Sequence, residues 1–216
     1  MSIEAVIFDM DGVLFDTEKL CMDSWIAIAE ERDMPDMEVF FPRCIGRNMT
    51  DTRMLFNEFY GDTYDYEEFR KQASAWFHGY IEENGVPVKT GVRELLEYLR
   101  RGGYKIGLAS STSRPSVEEL LERAGIREYF QGLITGDMVE HSKPRPDIYL
   151  MACEGLGVNP AQTMAIEDSP NGIRAAHAAG MIPVMVPDLI APDREMWEKS
   201  SLICGDLLEV IRFFDK

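Results

Sequence analysis

The chain has 216 residues, 45% of them hydrophobic, and a formal net charge of −16. That length fits one large domain or two unequal ones, with enough apolar residues for a real core. The acidic balance excludes non-specific attraction to nucleic acid or to an anionic membrane surface. Cys21, Cys44, Cys153 and Cys204 lie far apart with no C-x-x-C pair, which argues against a disulfide framework or a zinc site. Reduced cysteines and the missing signal-peptide pattern lead us to expect a cytoplasmic protein. No apolar stretch approaches membrane-spanning length.

In chain order, Ala5–Phe8 is a short apolar run ending at acids and the turn former Gly12, which predicts a buried strand. Residues 17–89 break the pattern that follows. They carry Trp25, Phe56, Phe59, Phe69, Trp76 and Phe77 at helical spacings, interrupted by Pro42, Gly46, Gly61 and Pro87. This stretch predicts a small helical cap inserted into a core made of residues 1–16 and 90–216. From residue 90 onward, strand-like runs at 105–109, 133–135, 164–166 and 182–186 alternate with helical patterns at 92–101, 117–124, 148–156 and 172–179. Gly102-Gly103, Gly125 and Gly180 stand at helix stops. Strand alternating with helix implies an α/β fold with a Rossmann-like parallel sheet covered on both faces.

Four segments near strand ends carry candidate chemistry, since ligand crevices in such sheets lie outside the carboxyl ends of the strands. In Phe8-Asp9-Met10-Asp11-Gly12, Asp9 is a candidate nucleophile and Asp11 a candidate acid/base; a solvated turn reads equally well. In Ala109-Ser110-Ser111-Thr112, hydroxyls before Arg114-Pro115 suit phosphate oxygens or plain helix capping. In Ser142-Lys143-Pro144-Arg145-Pro146, prolines hold Lys143 in one region, where it neutralises an anion or simply sits on a surface loop. In Ile166-Glu167-Asp168-Ser169-Pro170, two acids offer hard oxygen ligands for magnesium or N-cap the next helix.

The order strand–DxD, strand–Ser, loop Lys, strand–ED–helix resembles the haloacid dehalogenase superfamily, in its branch with a helical cap after the first strand. The resemblance implies a sheet order of 3-2-1-4-5 and a phosphoryl-transfer site. Asp9 would be the nucleophile and Asp11 the general acid/base. Ser110, Ser111 and Lys143 would hold the phosphoryl group. Mg2+ would be bound by Asp9, the Asp11 carbonyl and Asp168, with Glu167 acting through water. Asp11 favours phosphate esters over halides, because an alkoxide leaving group needs a proton.

Within that branch the chain is similar to β-phosphoglucomutases at Asp11-Gly12-Val13, Asp16-Thr17-Glu18, Trp25 and 105–110. It departs where those enzymes have a histidine, here Cys21, and in the substrate loop, here Gly46-Arg47-Asn48-Met49. The departures favour a phosphatase acting on small phosphorylated metabolites such as sugar phosphates, with a mutase as the alternative and a non-catalytic binding protein as a third reading. Arg47, Asn48 and Arg114 are candidate substrate contacts, and a monomer is expected. His78, His141 and His177 form no metal-ligand spacing, and the cap aromatics read as packing.

Overall fold

The structure, a computed structural model, describes residues 3–45 and 49–214 and, of Asp62, the backbone alone. The chain divides into two compact units: Met1–Phe15 with Val88–Lys216, and Asp16–Pro87. Strand β1 (Ala5–Phe8) opens the first unit. Helices α1 (Thr17–Glu31), α2 (Met37–Phe40), α3 (Met49–Tyr60) and α4 (Tyr66–Asn84) make up the second. Their core is aromatic. The Trp25 ring meets Phe41 and Phe69 edge-on at 5.3 and 5.2 Å, and Phe56 packs on Tyr60 at 4.8 Å. Such pairs add to plain area burial, so these rings are accounted for by packing. Helix α4 starts where the Asp65 carboxylate accepts the Glu68 N–H at 2.8 Å.

The first unit resumes with α5 (Val92–Arg101), β2 (Lys105–Ser110), α6 (Arg114–Arg123), β3 (Gly132–Thr135), α7 (Asp147–Leu156), β4 (Thr163–Glu167), α8 (Pro170–Ala178), β5 (Ile182–Met185), α9 (Arg194–Lys199), β6 (Leu202–Ile203) and α10 (Leu207–Phe214). The six strands form one sheet in the order β3-β2-β1-β4-β5-β6, every adjacent pair parallel. The expected 3-2-1-4-5 order is present, extended by β6. That strand escapes periodicity because two residues are too few to show a period. Each of the other strands lies within a residue of its expected position.

Strand β1 is wholly buried, as a central strand of a parallel sheet must be. Alternation sends Ile7 to one face, where it joins Ala109, Ile134 and Ala165 under α7 and α8 through Tyr149, Ala152, Leu156, Ala175 and Ala176. Phe8 meets Phe130 edge-on at 6.2 Å. The register puts Phe8 level with both Leu108 and Ile166. The strand ends therefore bring Asp9, Ser110 and Glu167-Asp168 to the same edge of the sheet. Among the described residues no helix is long and apolar enough to cross a membrane.

Candidate active site

Asp9 is the first residue past β1 and still belongs to the sheet, its N–H donating to Ile166 O at 2.9 Å. The backbone then turns instead of running on extended. Met10 O accepts from Val13, Leu14 and Phe15, and Gly12 has φ 79. Asp9 and Asp11 consequently take different partners. The Lys143 ammonium donates to Asp9 Oδ1 at 2.5 Å, while the Thr112 hydroxyl donates to Asp11 Oδ2 at 2.8 Å.

Lys143 is buried, at 9% exposure, which overturns the surface-loop alternative. Its remaining donors go to Ala109 O at 3.0 Å and Glu167 Oε1 at 2.6 Å. An ammonium has three protons, and each has an acceptor here. Glu167 Oε1 also accepts from the Tyr149 hydroxyl at 2.7 Å, and Oε2 accepts from the Ser169 hydroxyl at 3.2 Å. Tyr149 went unflagged by sequence reasoning. Its one signal was a polar-tipped ring on the apolar face of the helix that follows the lysine loop.

Helix capping does not account for these residues. Helix α8 is capped by Ser169, whose side chain accepts the Gly172 N–H at 3.1 Å, so Glu167 and Asp168 are not its cap. Helix α6 starts after Ser113, and Ser110 is the fully buried last residue of β2. Ser110 Oγ accepts the Thr112 N–H at 3.0 Å, which leaves its own proton to donate. Two glycines let carboxylates approach the backbone. A Cβ on Gly12 would lie 2.4 Å from Asp168 Oδ2, and one on Gly172 would lie 1.8 Å from Glu167 Cδ.

Electrostatically the site is short of positive charge. Burial pushes the Asp9 carboxyl up to about 8; Lys143 opposes this, and Glu167 and Asp11 add to it. Burial alone would drive the Lys143 ammonium down, but Asp9 and Glu167 together hold it above its ordinary value. The Tyr149 phenol is held well above its usual range by burial and by Glu167, so it remains a donor. Carboxylate oxygens of Asp9, Glu167 and Asp168 lie within 4.8 Å of one another, all three residues buried. An all-oxygen set with uncompensated charge fits a hard divalent cation such as Mg2+.

The family model for haloacid dehalogenase-like hydrolases matches residues 3–180. The chain belongs to that family. It is 36% identical over 183 residues to a phosphorylated carbohydrates phosphatase of Thermotoga maritima, covering 83% of this chain and 82% of the relative. It is 33% identical over 193 residues to the β-phosphoglucomutase of Bacillus subtilis, covering 85% and 83%. Among solved structures, CbbY from Rhodobacter sphaeroides in complex with xylulose-1,5-bisphosphate superposes with a TM-score of 0.80. The identity is 27%, and 96% of each chain is covered.

Ser111 is exposed, with its carbonyl against Gly136, where a Cβ would lie 2.1 Å away. Arg114 is exposed and pairs with Glu118 at 3.3 Å one helical turn on. Arg47 and Asn48 lie outside the described residues. His141 is exposed and pairs with Asp147 at 3.0 Å, and His78 and His177 are exposed. Cys21 is half-buried on α1.

Proposed function

We propose that this chain is a Mg2+-dependent phosphatase of small phosphorylated carbohydrates that works through a phospho-aspartate on Asp9. The observation that carries the reading is a buried Asp9 gripped by Lys143, beside two further carboxylates that need a cation. The similarity to a phosphorylated carbohydrates phosphatase, and the sugar bisphosphate bound in the related solved structure, support the substrate class.

In this reading residues 1–16 and 90–216 carry the chemistry, and residues 17–89 are the inserted unit that selects the substrate. Asp9, Asp168 and the Asp11 carbonyl would hold Mg2+, with Glu167 supporting it. When bound, the ion supplies charge neutralisation for the phosphoryl oxygens. An Asp9 carboxylate oxygen attacks phosphorus as the ester P–O bond breaks, and Asp11 delivers its proton to the departing alkoxide. Asp11 then takes a proton from water as that water attacks phosphorus. The Asp9–phosphorus bond breaks and inorganic phosphate leaves. The Ser110 hydroxyl donates to the phosphoryl oxygens, and the Lys143 ammonium does so by exchanging its Asp9 acceptor for one of them, as their charge spreads in the transition state.

The mutase reading draws on the similarity to the Bacillus subtilis enzyme. One experiment separates the two. β-Glucose 1-phosphate and a panel of sugar phosphates are incubated with the protein and Mg2+, beside an Asp9→Asn control. Free phosphate from the parent and none from the variant supports the phosphatase. Glucose 6-phosphate with little free phosphate establishes the mutase instead. No turnover even of an aryl phosphate leaves only a binding role.

A further inference from the structure

The carboxylate cluster has a neighbour that the mechanism does not use. Past β5, the Val186 N–H donates to Glu167 O at 2.7 Å, tying the segment that leads to Asp188 to the strand end bearing Glu167 and Asp168. Asp188 Oδ1 accepts from the Lys89 ammonium at 2.5 Å. Lys89 is itself fixed, its N–H donating to Leu14 O at 3.0 Å in the loop after β1. The Asp188 side chain is only 9% exposed, and its Oδ2 is buried with no hydrogen-bond partner. A carboxylate oxygen of Asp188 lies within 4.8 Å of one on Asp168. A buried carboxylate oxygen without a donor, on a side chain this near a second carboxylate, is unfavourable unless a cation or its water answers it.

We infer that Asp188 is a positioning residue for the divalent cation. Its Oδ2 accepts a hydrogen bond from the cation's hydration water, and its charge strengthens the grip of Asp168. The inference rests on the proposed Mg2+ site. Asp188 does not join Asp9 and Glu167 in a single cluster of ligating oxygens, which places it beside the primary set. Mg2+ gives up its water reluctantly, so carboxylates outside the primary set have hydration water to hold. Lys89 leaves this role intact, because it occupies Oδ1 and leaves Oδ2 to accept.

The test uses the full metal-free chain, titrated with Mg2+ by calorimetry and with Mn2+ by electron paramagnetic resonance. Partners of this kind alter metal affinity about 10- to 100-fold. Asp188→Asn should weaken both ions about tenfold while the thermal midpoint in EDTA holds, because relief of carboxylate repulsion offsets the lost Lys89 ion pair. Asp188→Glu should recover part of the affinity. Should Asp188→Asn not fold, Asp188→Ser gives the same reading. Affinity within twofold of the parent overturns the inference. So does a metal-free midpoint that falls in step with affinity, since a purely structural role does that. Asp168→Asn in the same titration tests the underlying site. If it binds Mg2+ like the parent, or the parent binds none, the metal reading itself has failed.

Discussion

Gly172 is the position where one methyl group separates a structural account from a propensity account. Gly172 stands in the first turn of α8, where Ala is ordinarily about 1 kcal/mol better than Gly. A Cβ there, however, would lie 1.8 to 2.0 Å from three atoms of the Glu167 carboxylate. That carboxylate is fully buried and held by Lys143 and Tyr149, so it cannot swing away without giving up both hydrogen bonds. Each bond to a charged group is worth about 1.5–3 kcal/mol. Partial relaxation of the helix start and the propensity gain leave a net loss of about 3 kcal/mol for Gly172→Ala. For a chain of this size that lowers the thermal midpoint by about 6–12 °C. Gly155→Ala is the internal control. It is an exposed position in α7 with nothing within 4 Å of the built Cβ, and it should gain up to about 1 kcal/mol. Melts of both variants in EDTA decide the matter. If the two alanines stabilise alike, Glu167 does not depend on the missing side chain, and the close approach has no energetic meaning.

Four more outcomes follow from the same geometry. Asp9 has its carboxyl raised from 3.8 to about 8, so its folded state gains from the bound proton at low pH and loses that gain as pH climbs through 8. The metal-free protein should therefore melt lower at pH 9 than at pH 6, and Asp9→Asn should flatten that slope; equal slopes would show Asp9 ionised throughout. The same proton must leave for metal to bind, so Mg2+ affinity by calorimetry should rise about tenfold per pH unit up to about pH 8 and then level off. Tyr149→Phe removes one donor from Glu167 while filling the same space, and should cost about 1.5 kcal/mol in a urea melt. Thr112→Val removes the hydroxyl on Asp11. It should cut kcat/KM about tenfold for a sugar phosphate yet spare p-nitrophenyl phosphate, whose leaving group needs little proton donation.

Asp9, Ser110 and Glu167-Asp168 were legible because each ends an apolar run, and a run buried on both faces fixes where its last residue must emerge. Lys143 was legible as a residue held by Pro144 and Pro146 just after it, but its burial was not. That depends on Asp9 and Glu167 arriving from two other strands to stabilise the charge, and no local pattern encodes their arrival. Tyr149 stayed hidden for a related reason. Its periodicity marks it as core, which it is, and only the docking of α7 on the sheet points its hydroxyl at Glu167. Strand β6 is too short for periodicity to separate it from its surroundings. Asp188 sits in a Pro-containing segment after β5 that reads as an ordinary connection, and its pairing with Lys89 spans 99 residues of sequence.

The electrostatics of the site bear on how a chain of net charge −16 handles an anionic substrate. Lys143 cannot do so alone, since Glu167 already claims its charge and all three of its protons have acceptors. A phosphoryl group brought to Asp9 would meet further buried carboxylates with little left to offset them. Two like unit charges 4 Å apart repel by about 4 kcal/mol even at an effective dielectric of 20. A divalent cation held among Asp9, Glu167 and Asp168 would reverse the sign of that contact. It would also release the proton that burial places on Asp9 and so leave the carboxylate ready to attack. On this reasoning metal and substrate bind in order, metal first. Phosphate or a sugar phosphate titrated into the metal-free chain should bind at least tenfold more weakly than into the Mg2+-loaded chain. Equal affinity in the two states would mean that the positive charge for the phosphoryl group comes from somewhere other than this cluster.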